Sequence, residues 1–157
     1  MARYVIDHPE VVADRKVLDL GAGSGLVAIA AALAGAGAVT AVDVDPYAIA
    51  ATRLNAAANG VTIAVAQADL TAGEPPDVEL VLVGDLFYEA ALAIRVTAFL
   101  ERCVAAGIEV AIGDPFRAFL PTGQLAMVAE YPVADFGDPD GAARAAAVFT
   151  FLGPAVA

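Results

Sequence analysis

The apolar residues fall into two kinds of run. Some are four to six residues long, β-branched, and closed by Asp or Gly. Others are longer, alanine-rich, and opened or closed by capping residues. Short runs bounded by turn residues read as strands, and runs beyond about ten residues as helices. On this basis strands are predicted at 17–20, 38–43, 61–66, 78–83, 109–113, 125–133 and 145–152. Helices are predicted at 26–36, 46–58 and 89–106. Asp45-Pro46 is a helix start, with Asp as the cap and Pro at the first helical position. Gly35 and Gly37, Asn59-Gly60 and Gly107 are helix stops. Residues 3–13 have helical spacing interrupted at His8-Pro9, where a helix ends or a second turn begins. A short helical turn is expected at 118–120, and the polar stretch 135–141 reads as a hairpin turn.

Strands alternating with helices predict an α/β fold with a mostly parallel sheet. Residues 78–83 are apolar apart from Glu79, as a central strand covered on both faces would be. The stretch 26–36 has no polar face and is expected to be buried. The last two strands have no helix between them and should pair antiparallel. A chain of 157 residues is read as one domain with a substantial core.

The chemistry centres on the end of the first strand. There Val17-Leu18-Asp19-Leu20 runs into Gly21-Ala22-Gly23-Ser24-Gly25. Glycines let backbone turn tightly and approach a bound molecule, and the following helix aims its first N–H groups at the same place. A dinucleotide site needs Gly-x-Gly-x-x-Gly; this chain has Gly-x-Gly-x-Gly, preceded by Asp19. The second strand ends in Asp43, an acid placed to accept both hydroxyls of a ribose. Asp69 follows the third strand and either accepts from an adenine amine or forms a turn before Thr71. This ordered pattern resembles the S-adenosylmethionine site of class I methyltransferases. The resemblance implies a Rossmann-like three-layer sandwich with a seven-stranded sheet of order 3-2-1-4-5-7-6. It also implies S-adenosylmethionine as cofactor, held by Asp19, Gly21, Ala22, Gly23, Gly25, Asp43, Val44, Asp69, Leu70 and Gly84.

A second informative stretch closes the fourth strand, at the topological switch point where such sheets bind ligands. Asp85-Leu86-Phe87-Tyr88, with Gly113-Asp114-Pro115 after the fifth strand and Ala129-Glu130-Tyr131 beyond, resembles the seven-β-strand protein-lysine methyltransferases. The electron-transfer flavoprotein β-subunit lysine methyltransferases are the group it is most similar to. The resemblance implies a protein partner presenting lysine, with Asp85 orienting the amine and Tyr88 or Phe87 forming an aromatic wall. Phe87 is otherwise a core residue and Asp85 a helix cap. Asp114 either lines the same mouth or makes the turn before Pro115. Ribosomal-protein and base-amine methyltransferases carry other motifs after the fourth strand and are disfavoured. A methyltransferase for another substrate and a non-catalytic module stay open, as does, more remotely, a dehydrogenase. In one departure from the family, the chain is expected to begin, around Arg3-Tyr4-Val5, past the aromatic, glycine-rich segment that usually helps cover the cofactor.

Charge and composition narrow the partners. The net charge of −11, with only eight Lys and Arg, argues against a nucleic-acid surface. It reflects either solubility or attraction to a basic, lysine-rich target. The longest apolar run is too short for a bilayer span. The lone Cys103 cannot form an intrachain disulfide and reads as a core residue. The single histidine, His8, lies remote from the scattered carboxylates, so no metal is expected. A cytoplasmic monomer or weak homo-oligomer is expected.

Overall fold

The computed structural model describes residues 1–134 and 143–154. A short helix α1 (Ala2–Asp7) and a 3-10 turn (Pro9–Val11) precede β1 (Lys16–Leu20). Then come α2 (Leu26–Leu33), β2 (Ala38–Asp43), α3 (Pro46–Ala58), β3 (Ala64–Gln67) and β4 (Leu80–Gly84). They are followed by α4 (Ala90–Ala105), β5 (Glu109–Asp114), β6 (Leu125–Ala134) and β7 (Ala143–Phe151). The seven strands form one sheet of order β3-β2-β1-β4-β5-β7-β6. The first five are parallel, and β7 runs antiparallel between β5 and β6.

Alternation along the strands sorts the core onto two faces. Leu18 and Leu20 of β1, with Val81 and Val83 of β4, pack on one side with Phe99, Leu100 and Cys103 of α4. Val17 of β1, with Leu80 and Leu82 of β4, packs on the other side with Val5 of α1 and Ala28 and Ala31 of α2. The same alternation sends Asp19 to the α2 side. Register then sets the site: Leu20 lies beside Val42 on one side and Val83 on the other. Gly21, Asp43 and Gly84 therefore leave the sheet side by side at its C-terminal edge.

Several expectations shift. α2 stops at Leu33 rather than 36, with Gly35 left-handed at φ +93°. It is not buried all round: Ala28 to Ala31 are covered, while Leu26 and Leu33 are exposed. Without a polar face, apolar composition alone did not reveal which side faces water. β3 begins at Ala64 rather than 61, and as an edge strand it is largely exposed. The chain turns at 118–119, where the Leu120 N–H donates to the Arg117 carbonyl at 3.1 Å, and a 3-10 helix not expected from the sequence follows at Thr122–Gln124. The hairpin turn at 135–141 lies outside the described residues. The caps hold: Asp45 accepts the Tyr47 N–H at 2.8 Å, and Gly60 and Gly107 have positive φ beyond their helices. Among the described residues no helix is long and apolar enough to cross a membrane.

Phe87 and Tyr88 test this packing as neighbours of opposite environment. Phe87 is fully buried and Tyr88 is 57% exposed. In urea unfolding, Phe87→Ala should cost about 3–5 kcal/mol, and Tyr88→Ala under about 0.5 kcal/mol.

Candidate functional site at the C-terminal edge of the sheet

The glycine turn is held from three directions. Gly21 and Ala22 both donate to the Val42 carbonyl, at 2.8 and 3.0 Å, which ties the turn to β2. Asp43 Oδ2 accepts the Gly23 N–H at 2.9 Å, and its Oδ1 accepts the Asp45 N–H at 3.0 Å. From α3, the buried Thr52 hydroxyl donates to the Gly23 carbonyl at 2.9 Å, and Asn55 donates to the Ser24 carbonyl at 2.8 Å. Thr52 and Asn55 did not stand out in the sequence. Their one signal is polar residues three apart on a helix that starts at the site.

Two of the glycines serve different ends. A Cβ on Gly25, at φ +81°, would meet Thr52 at 2.8 Å, so that glycine makes room for the clamp from α3. A Cβ on Gly23, at φ +55°, would meet nothing within 4 Å. Its bare side is open, as a close approach by a ligand requires.

Beneath the turn lies Asp19, 1% exposed. Its Oδ2 accepts the Ala28 N–H of α2 at 2.9 Å. The N-cap position of α2 is Gly25, which has no side chain to satisfy the first-turn donors. The strand acid therefore does that work from below. Burial pushes the Asp19 carboxyl up to about 7; the Ala28 hydrogen bond partly offsets this, and the Asp43 charge adds to it. A carboxyl with a raised folded value destabilises the fold once ionised. The penalty is absent below about pH 4, grows as pH rises toward 7, and is full above it. Asp19→Asn keeps an acceptor for Ala28 without the charge. The melting temperature of the wild type should fall between pH 5 and 8, and that of Asp19→Asn should fall measurably less.

The sequence-predicted residues divide between two cavities. Gly21, Asp43, Val44, Asp69, Leu70 and Tyr88 line a cleft above β1 and β2, completed by apolar side chains such as Leu86, Leu92 and Val96 and by Arg95. Asp69 makes the turn weighed for it, its Oδ1 accepting the Thr71 N–H and hydroxyl at 2.9 and 2.6 Å. Those bonds, the hydroxyl's foremost, hold its carboxyl below the usual range. It also borders the cleft. Gly84 and Asp85 line a second cavity, with Asp114 and Tyr131. The Leu86 side chain packs over Gly21, where a Cβ would approach it to 2.6 Å. Asp19, Ala22, Gly23 and Gly25 line neither cavity and shape the turn beside them. Among the described residues, no three His, Cys, Asp or Glu side chains lie together as a metal site would need.

Asp85 does not cap α4: the cap position is Glu89. Asp85 is left-handed at φ +55° and donates its N–H to the Gly113 carbonyl at 2.9 Å. Both its carboxylate oxygens are taken by Arg117, at 2.7 and 2.8 Å. This fork-to-fork pair raises the Arg117 guanidinium further above its usual range. Arg117 is a further residue that sequence reasoning missed, because its partner lies 32 positions away. Its loop includes Phe116, left-handed at φ +63° and edge-on to Phe149 at 5.9 Å. For an aromatic residue such a φ is unusual and requires support from its surroundings.

Comparison with known proteins places the chain. It is 46% identical over 120 residues to the electron transfer flavoprotein beta subunit lysine methyltransferase of Danio rerio, covering 75% of this chain and 46% of that protein. To the Xenopus laevis protein of the same name it is 38% identical over 141 residues, covering 86% and 57%. The chain thus spans about half the length of the curated relatives it matches. The fold is shared with the ribosomal protein L11 methylase of Lactobacillus delbrueckii subsp. bulgaricus, at TM-score 0.69 and 22% identity over 98% of this chain and 77% of that one. It is shared too with the Pyrococcus abyssi tRNA (uracil-54, C5)-methyltransferase solved with S-adenosyl-L-homocysteine, at TM-score 0.70 and 18% identity over 96% and 38%. The model of the ribosomal protein L11 methyltransferase (PrmA) family matches residues 5–84, which carry the glycine turn and Asp43 and stop one residue before Asp85. With residues 5–84, about half of its length and β1 to β4 of its sheet, matched by that model, the chain belongs to the PrmA methyltransferase family.

Proposed function

We propose that the protein transfers a methyl group from S-adenosylmethionine to a lysine side chain of a protein, an electron-transfer flavoprotein β subunit being the candidate its relatives' names suggest. The observation that carries the cofactor reading is the Asp43 bridge. A carboxylate has about four acceptor sites. Asp43 gives one to the Gly23 N–H and one to the Asp45 N–H. The remainder suit the two hydroxyls of a ribose. The donors of the glycine turn support the same choice. Gly21 and Ala22 donate to Val42, Gly23 to Asp43, and Gly25 to the Ala22 carbonyl. Little is left to cradle a pyrophosphate, whereas a sulfonium cation sits well near acids.

The residues present fit this group. Asp43 and Val44 would hold the ribose end. Asp69 and Leu70 would hold the adenine against the apolar wall that includes Leu92 and Val96. Gly84 and the open side of Gly23 would lie close to its methionine end. When bound, S-adenosylmethionine supplies a methyl group already activated toward an amine lone pair. The protein's own work is then alignment and exclusion of water. Tyr88, exposed at the cleft, would close over it. Asp85 would guide an ammonium inward, sharing or exchanging its Arg117 partner. The net charge of −11 favours encounter with a basic, lysine-bearing surface.

Calorimetric titration should give micromolar binding of S-adenosylmethionine and none of NAD. Asp43→Ala should weaken that binding at least about tenfold, the cost of losing a charge-assisted hydrogen bond. Tight NAD binding would overturn the reading. Incubation with an electron-transfer flavoprotein β subunit, followed by mass spectrometry, should find methylated lysine. Its absence there, with methylation of another protein, would reassign the substrate and leave the chemistry in place.

A further inference from the structure

The second cavity contains a buried acid of which the fold uses only one oxygen. Asp114 ends β5 and is 2% exposed. Its Oδ1 accepts the Arg117 N–H at 2.6 Å. Its Oδ2 is buried and, among the described residues, has no hydrogen-bond partner. A buried carboxylate oxygen left unpaired is costly, and native proteins rarely leave one without a purpose.

Of the cations around the cavity, the Met1 α-ammonium lines it beside Gly113 and forms no ion pair among the described residues, while the two guanidinium groups are committed to other acids. Arg117 is forked onto Asp85, and Arg3 at the rim is paired with Asp7 at 2.8 Å. Arg117 balances the charge of Asp85. Of the two carboxylates in the cavity wall among the described residues, Asp114 is the one with an oxygen that makes no hydrogen bond. Burial raises its carboxyl above the usual range; the Arg117 N–H opposes this, and the Asp85 charge adds to it. The walls around it include Val27, Pro115, Val133 and Val148. Apolar walls with an acid at the closed end suit a methylene stem that carries a cationic tip. The cavity opens at the ends of β4 and β5, beside β1, on the same edge of the sheet as the cofactor cleft.

We propose that this cavity seats a primary ammonium group, that of the lysine side chain, and that Asp114 Oδ2 is its acceptor. The proposal rests on the lysine-methyltransferase reading for the identity of the ligand, but not for its test. Asp85, exposed and paired with Arg117, then stands at the mouth and Asp114 at the seat.

The experiment uses the whole chain labelled with ¹³C-aspartate, its carboxyl resonances assigned through backbone correlations. It is titrated with n-butylammonium, and separately with tetramethylammonium, which has no N–H to donate. The Asp114 carboxyl resonance should move saturably with n-butylammonium and stay still with tetramethylammonium. Asp114→Asn keeps the Oδ1 acceptor for Arg117. It should weaken n-butylammonium binding at least about tenfold and leave S-adenosylmethionine affinity unchanged. If Asp85 responds and Asp114 does not, the seat is Asp85 and the proposal falls. If neither responds, the cavity seats no ammonium and the proposal falls. Lysine methylation by the wild type separates the two ideas. Methylation with a silent Asp114 sinks the seat and keeps the enzyme reading; a responsive Asp114 without methylation of any lysine does the reverse.

Discussion

The arrangement of this edge depends on one buried hydrogen bond, from the Ala28 N–H to the Asp19 carboxylate. A helix that begins at a glycine has no cap of its own. Here the strand beneath supplies it, and this fixes the distance between β1 and α2. The turn from Gly21 to Gly25 then has little freedom left. Asp43 from β2 and Thr52 and Asn55 from α3 hold what remains. An ionisable group out of water is a costly way to hold a loop. In return the turn is rigid before any ligand arrives, so less ordering remains to oppose binding.

The fold was largely readable because its local cues agree with one another. Asp45-Pro46, Asn59-Gly60 and Gly107 mark helix ends by backbone chemistry that tertiary packing does not override. The lack of a helical pattern in the sequence between the last two strands calls for an antiparallel pair. The errors fall where composition carries no directional information. The alanine-rich 26–36 stretch has no polar face to show which side is exposed, and the edge strand near Ala64 lacks the flanking contacts that sharpen a boundary.

The candidate site was readable only in part. Asp43 and the glycines could be placed from sequence, because strand ends in such a sheet converge on one edge. Their division into two cavities could not: Gly21 and Asp43 line one and Gly84 and Asp85 the other, although all four leave the same edge of the sheet. Arg117 was invisible for a related reason. A residue 32 positions from its partner becomes its neighbour only once β4 and β5 pair in register, Gly84 against Gly113. Asp114 was legible as a strand-end acid, but its unpaired oxygen was not.

The last two strands carry a consequence for synthesis. β6 joins the sheet solely through β7, which is made after it and lies between it and β5. As the chain leaves the ribosome, β6 emerges with no neighbour to pair with, and the edge of β5 stays open for the same interval. Both are available to another nascent chain until β7 arrives and closes both gaps at once. The protein's most vulnerable moment is therefore the interval between the emergence of β6 and that of β7, and slow decoding there would lengthen it.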